Sequence, residues 1–250
     1  MGDDDRAPYE VSRLRLNQAL AKTGHCSRRQ ADALIAARRV RVNGRVADDF
    51  SLSVDPLRDR IEVDGKTLTF KAFVYVAMYK PRGVVTTCSD EEGRESVLDL
   101  LPGKLRHLRP VGRLDMNSEG LLIFTNDGDL TQRLTHPSHH LPKTYVVTVK
   151  GAMSDLDLKA LAAGVVLDDG PTQPGTTRLL ERSKSATIFE LTISEGRNRQ
   201  VRRMCEHVGY RVSRLVREAV GGLQLGQMTP GSWRYLTAAE VRALESGGNG

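Results

Sequence analysis

The chain has 250 residues, 39% hydrophobic and 27% charged, the composition of a globular protein with room for one large domain, or for a small one and a medium one. No apolar run approaches the roughly 18 residues of a membrane helix, and the acidic start Met1-Gly2-Asp3-Asp4-Asp5 lacks the apolar core of a signal peptide. The three cysteines, Cys26, Cys88 and Cys205, are dispersed and form no CxxC pair, which argues against a zinc site and a disulfide framework. We therefore expect a cytoplasmic protein with reduced thiols and no membrane partner. The net charge of +6 is unevenly placed. From Val11 to Val46 nine Lys/Arg face one acid, Asp32, for a local +8, and from Arg197 to Arg217 seven arginines face Glu206 alone, for +6, which leaves −8 on the rest of the chain. Two basic segments on an otherwise acidic chain suit a polyanionic ligand.

In chain order, Leu14, Leu16 and Leu20 mark a short helix that stops near Gly24. Ser27-Arg28-Arg29-Gln30 then has the spacing of a capping box, and the second helix runs to about Arg39 with Ala31, Leu34 and Ile35 inward. Val40-Arg41-Val42-Asn43-Gly44-Arg45-Val46 alternates around an Asn-Gly turn, the signature of a hairpin. Ile61 to Leu68 predicts a second hairpin around Asp64-Gly65. A boundary is expected near residues 70–72.

Phe73 to Tyr79 reads as a buried strand stopped by Lys80-Pro81-Arg82-Gly83. The segment Gly112-Arg113-Leu114-Asp115-Met116-Asn117-Ser118-Glu119-Gly120 is a polar, Gly-punctuated loop running into the apolar strand 120–125. Taken alone, Asp115 beside Arg113 fits a tuned carboxylate or an ordinary loop acid. Further strands are predicted at 144–150, 187–194 and 211–216, and helices at 130–135, 155–163, 197–208 and 238–244. Strands interspersed with helices in irregular order indicate an α+β fold with a mostly antiparallel mixed sheet flanked by helices. In the helix after Gly196, Val201, Met204, Cys205 and Val208 recur at i, i+3, i+4 and i+7 as the buried stripe. Arg202 flanks that stripe, while Arg199 and Arg203 lie further toward solvent. Cys205 is then a core residue. His136, His139 and His140 lack a carboxylate nearby in sequence and are read as a solvated loop, with no metal site.

Two sets of motifs carry resemblances. Arg15-Leu16-Asn17, Cys26-Ser27-Arg28-Arg29-Gln30-Ala31 and Val40-Arg41-Val42-Asn43-Gly44 resemble the S4 RNA-binding domain. Lys80-Pro81-x-Gly83, Gly112-Arg113-Leu114-Asp115, Ser118-x-Gly120-Leu121-Leu122, Thr125-Asn126-Asp127-Gly128, Lys143-x-Tyr145 and Glu195-Gly196-Arg197-Asn198-Arg199-Gln200-Val201-Arg202-Arg203-Met204 follow in order. Together they resemble the RsuA/RluB/RluE/RluF family of ribosomal RNA pseudouridine synthases, with features of both the RluF and the RluB branch.

The resemblance implies an S4-like domain over 11–70 and a pseudouridine synthase domain over 73–246, and the closing Gly247-Gly248-Asn249-Gly250 reads as a flexible tail. It implies isomerisation of a flipped uridine in ribosomal RNA, most readily large-subunit RNA with small-subunit RNA as the rival, and no cofactor or metal. It makes Asp115 the essential carboxylate, Arg202 its ion-pair partner and Tyr145 a stacking residue with a phenol able to move a proton. Arg113 is expected to fill the space of the extruded nucleotide. Arg15, Arg28, Arg29, Arg41, Asn43, Arg197, Arg199 and Arg203 are expected to contact RNA. The partner is ribosomal RNA, free or in a partly assembled subunit, and nothing demands more than a monomer. A non-catalytic S4-type RNA-binding protein is the alternative from another class.

Overall fold

The computed structural model describes residues 13–23, 25–56, 58–69, 73–87, 92–136 and 140–247. The expected helix stop at Gly24, the boundary at 70–72, Cys88, His139 and residues 248–250 of the tail lie outside these. The chain divides into two compact units, Met1–Phe73 and Val74–Gly250.

The first unit places β1 (Leu14–Arg15), α1 (Leu16–Lys22), α2 (Arg28–Ala36), β2 (Val40–Val42), β3 (Arg45–Val46), β4 (Ser53–Val54), β5 (Ile61–Val63) and β6 (Lys66–Thr67) in chain order. Ser27 and Gln30 form the reciprocal capping box that starts α2. That helix ends at Ala36, short of the expected Arg39, because Arg38 turns to φ 57°. Leu14 pairs with Val54 in a two-stranded ladder and does not open the helix. Asn43 and Gly44 both take positive φ (51° and 81°), as do Asp64 and Gly65 (51° and 76°). Those are the turns that let β2–β3 and β5–β6 close as tight hairpins. Leu16, Leu20, Ala31, Ile35, Val40 and Ile61 are fully buried and form this unit's own core.

The second unit is built on one nine-stranded sheet. Its elements are β7 (Tyr75–Lys80), β8 (Arg109–Val111), β9 (Glu119–Thr125), α3 (Gly128–Thr135), β10 (Lys143–Lys150), α4 (Asp155–Ala163), β11 (Val166–Leu167), β12 (Gly170–Pro171), β13 (Thr176–Arg182), β14 (Ala186–Ile193), α5 (Gln200–His207), β15 (Val212–Val220), β16 (Leu223–Gln224), β17 (Trp233–Tyr235) and α6 (Ala238–Glu245). The main path runs β13-β14-β10-β15-β9-β7-β17, antiparallel throughout except between β15 and β9. β7 is buried along its whole length, and β9 from its second residue on, as continuous apolar runs covered on both faces must be. β14 alternates half-buried and buried, so one of its faces looks outward.

One edge of β9 is occupied by β7 from Gly120 to Thr125. The other edge is shared. Glu119 and Gly120 pair with Val216 and Arg217 of β15, and Ile123 to Thr125 pair with β8. Gly120 is required here: at φ 107°, a Cβ would lie 2.3 Å from the Arg217 carbonyl oxygen. The loop that carries Asp115 leaves β8 and re-enters at β9, next to this divergence.

Candidate active site

The loop at 112–118 is held through its backbone. Leu114 O accepts from Thr86 Oγ1 (2.7 Å), and Asp115 O from Ser118 N (2.9 Å). Met116 O accepts from Gly83 N (2.8 Å), and Asn117 O from Arg202 Nη2 (2.8 Å). Ser118 O accepts from Lys80 Nζ (2.9 Å). Five consecutive carbonyls are thus engaged, each by a donor set by the fold. Lys80 is fully buried and also donates to Pro81 O at 3.0 Å. Burial pushes its ammonium down to about 8, although the Asp115 and Glu119 carboxylates favour its charged form. The Asp115 carboxylate itself is half-buried and has no hydrogen-bond or ion-pair partner among the described residues.

Asp115 lines a cavity of about 650 Å³ together with Arg113, Lys143, Tyr145, Arg199 and Arg217. Tyr145 on β10 is 8% exposed, and its phenolic oxygen has no partner among the described residues. A second cavity of about 580 Å³ shares Arg113, Leu114, Asp115 and Arg199 with the first. Arg113 and Arg199 are exposed and make no ion pair among the described residues, so two unengaged guanidinium groups border the carboxylate. Arg199 takes φ 48° as the residue preceding α5, which is why that helix begins at Gln200 and not at the expected Arg197.

One expected contact is corrected. Arg202 does not form the expected ion pair with Asp115: its guanidinium donates to Asn117 O, to Ser118 Oγ (3.5 Å) and to Val212 O (3.4 Å). It reaches the loop's backbone first, because the loop turns its carbonyls inward toward α5. Its Nε is buried without a partner. Burial lowers the Arg202 pKa, with Arg199 adding to this and Asp115 opposing it. Arg197 and Arg203, expected to contact RNA, also make ion pairs within the protein. Arg203 Nη2 pairs with Asp169 at 2.9 Å. Arg197 bridges Asp169 (3.3 Å), Glu195 (3.2 Å) and the Gly170 carbonyl (2.9 Å), fastening the β11–β12 hairpin to the turn before α5. Asn43 gives its amide to Asp59 (2.8 Å) and accepts from Arg60 N (2.9 Å), so its side chain ties the β2–β3 turn to the segment before β5. Arg41 is exposed and donates to Gly44 O at 3.0 Å. Arg15, Arg28 and Arg29 are exposed on the first unit. Cys205 is fully buried, its thiol pushed up to about 12 by burial.

Lys143 and Arg217 were not singled out as site residues. Lys143 stands two residues before Tyr145, which on a strand means the same face, and that spacing could have found it. Arg217 lies one residue past the expected end of its strand.

Residues 74–207 match the RNA pseudouridylate synthase family, and residues 14–56 match the S4 domain. The chain is 41% identical to ribosomal large subunit pseudouridine synthase B of Bacillus subtilis (strain 168), over 93% of this chain and 96% of that one. It is equally similar, at 41%, to an uncharacterized RNA pseudouridine synthase of Mycobacterium leprae (strain TN), with 96% of each chain covered. A crystal structure of a pseudouridylate synthase aligns with a TM-score of 0.66 at 31% identity, covering 92% of this chain and 99% of that one.

Proposed function

The chain belongs to the RNA pseudouridylate synthase family, and from that premise we propose that it isomerises uridine to pseudouridine in ribosomal RNA of the large subunit. The observation that carries the reading is an unengaged carboxylate on a backbone-locked loop, facing a cavity of about 650 Å³ beside the buried Tyr145. Relatives named for the large ribosomal subunit support that choice of RNA. The first unit, with its S4 match and exposed Arg15, Arg28, Arg29 and Arg41, supplies affinity for structured RNA through phosphates.

In this reading the target uridine leaves its stack at a cost of a few kcal/mol and enters the cavity. Tyr145 packs on the uracil, Arg113 fills the space the extruded nucleotide leaves, and Arg199 meets the displaced backbone. Asp115 acts as the essential carboxylate when the N1–C1′ bond breaks and C5 bonds to C1′. Arg202 serves by holding the backbone of residues 117 and 118, which aims Asp115, and its unpartnered Nε–H is available to an Asp115 carboxylate that shifts on RNA binding. Incubation with large- and small-subunit ribosomal RNA, followed by pseudouridine mapping, tests this. We expect one or a few new pseudouridines in the large-subunit RNA. RNA binding with no pseudouridine formed would leave an S4-type binding protein instead, and product in small-subunit RNA alone would move the substrate.

A further inference from the structure

The floor of the large cavity is the sheet face where β10 and β15 meet, and it carries two cations without a counter-charge. Tyr145 pairs directly with Arg217 across the two strands, and Lys143 lies two residues earlier on the face of Tyr145. Lys143 donates to Leu141 O at 2.9 Å. Arg217, 5% exposed, spends its Nε on Leu121 O at 2.8 Å, which leaves both terminal nitrogens without a partner among the described residues. No carboxylate of those residues is within ion-pair range of either side chain. Burial and then the neighbouring Arg217 hold the Lys143 ammonium below the usual lysine range. Arg217 is buried and Lys143 half-buried at the cavity wall, and among the described residues no carboxylate neutralises either, so both charges are presented to whatever enters the cavity. The surroundings are apolar, with Leu215 and Ile193 also lining the cavity, so the floor admits a base more readily than a phosphate. Arg113 and Arg199 are the exposed pair suited to phosphates.

We propose that Lys143 and Arg217 are catalytic residues that receive the negative charge developed on uracil when it departs from C1′. This rests on the isomerisation reading above. As the N1–C1′ bond breaks, both electrons stay with the base and spread over N1, O2 and O4, while the electron deficit at C1′ is met from the Asp115 side. C5 then bonds to C1′ and its proton leaves, so the product has the atoms and electrons of the substrate. Fixed cations at the carbonyl oxygens lower the barrier because they need no reorganisation as the charge appears.

Single-turnover reactions test the proposal on a ribosomal RNA transcript and on the same transcript made with 5-fluorouridine, read on both as cleavage of the N1–C1′ bond, because C5 of the fluorinated base has no proton to lose and cannot complete the isomerisation. Fluorine stabilises the departing anion and reduces the need for help. We expect Lys143→Met to slow turnover of uridine RNA by about 100-fold at saturation, to leave RNA affinity unchanged, and to show a clearly smaller defect on 5-fluorouridine RNA. Lys143→Arg, which keeps the charge, should recover much of the rate. An equal defect on both RNAs, or a loss confined to affinity, overturns the assignment and makes the pair a positioning or phosphate-binding element. If Lys143→Met does not fold, Arg217→Lys carries the same comparison, because a displaced charge predicts the same fluorine-sensitive loss. Wild type that makes no pseudouridine on any RNA overturns the isomerisation reading itself, whereas an active wild type with undiminished variants overturns this proposal alone.

Discussion

Asp115 combines a fixed backbone with an unoccupied carboxylate. Its own carbonyl accepts from Ser118 N and the Leu114 carbonyl accepts from Thr86 Oγ1, so the side chain starts from a defined position without spending its oxygens on holding it. Preorganisation of this kind is what a carboxylate needs when the reacting atom must be met at about 3 Å. Asp115→Asn preserves the shape and removes the charge. We expect filter binding to return wild-type RNA affinity for that variant and pseudouridine assays to find no product; full activity would take Asp115 out of the chemistry. Asp115, Arg113, Tyr145 and Arg199, which line one cavity, stand out in the sequence because they sit in dense, ordered motifs. The grip on the loop could not, since Lys80, Thr86 and Arg202 act on carbonyl oxygens, and a carbonyl leaves no mark on residue identity. For the same reason the expected Arg202–Asp115 ion pair became a bond to the Asn117 carbonyl.

Among the elements, the junction of β9 with β15 bears most on the site. Gly120→Ala puts a methyl group against the Arg217 backbone at 2.3 to 2.9 Å and forces a non-glycine residue to φ 107°. The cost is about 3 kcal/mol or more, read as a lower denaturation midpoint, and activity should fall as the parallel pair opens. Lys80, at the end of β7, gives a pH test. Its pKa is about 8 in the folded chain against 10.5 ordinarily. Between those values the unfolded chain binds more protons, so stability linked to Lys80 rises with pH in that window and is flat below it. The stability difference between wild type and Lys80→Met should therefore grow from pH 8 toward pH 10, as measured by chemical denaturation; a flat or falling difference would contradict it. Long apolar strands and capped helices were legible in advance. β8 was not, being three residues with a proline in the middle. Nor was β13, which is exposed along most of its length and so lacks the alternation that reveals a strand.

For the whole molecule, charge placement was legible from composition, but its use was only partly so. Of the basic residues in the first unit, Arg38 is paired with Asp48 and Arg39 with Asp64, so the segment's charge of +8 overstates what RNA can meet. Arg15 and Arg29 remain exposed, without an ion pair among the described residues. Replacing both with Gln should weaken RNA binding across sequences and flatten the salt dependence by roughly one unit of slope per arginine, while the rate at saturating RNA stays near wild type. An unchanged slope would place the RNA elsewhere. The shared edge of β9 also bears on how such a chain can diverge. The return from β8 to β9 has no slack, since β8 and β15 claim successive parts of one strand edge and five loop carbonyls are already taken. An added residue would displace one or more of these engaged carbonyls. A residue inserted within 112–118 should therefore cost the site its geometry even where β8 and β9 keep their pairing.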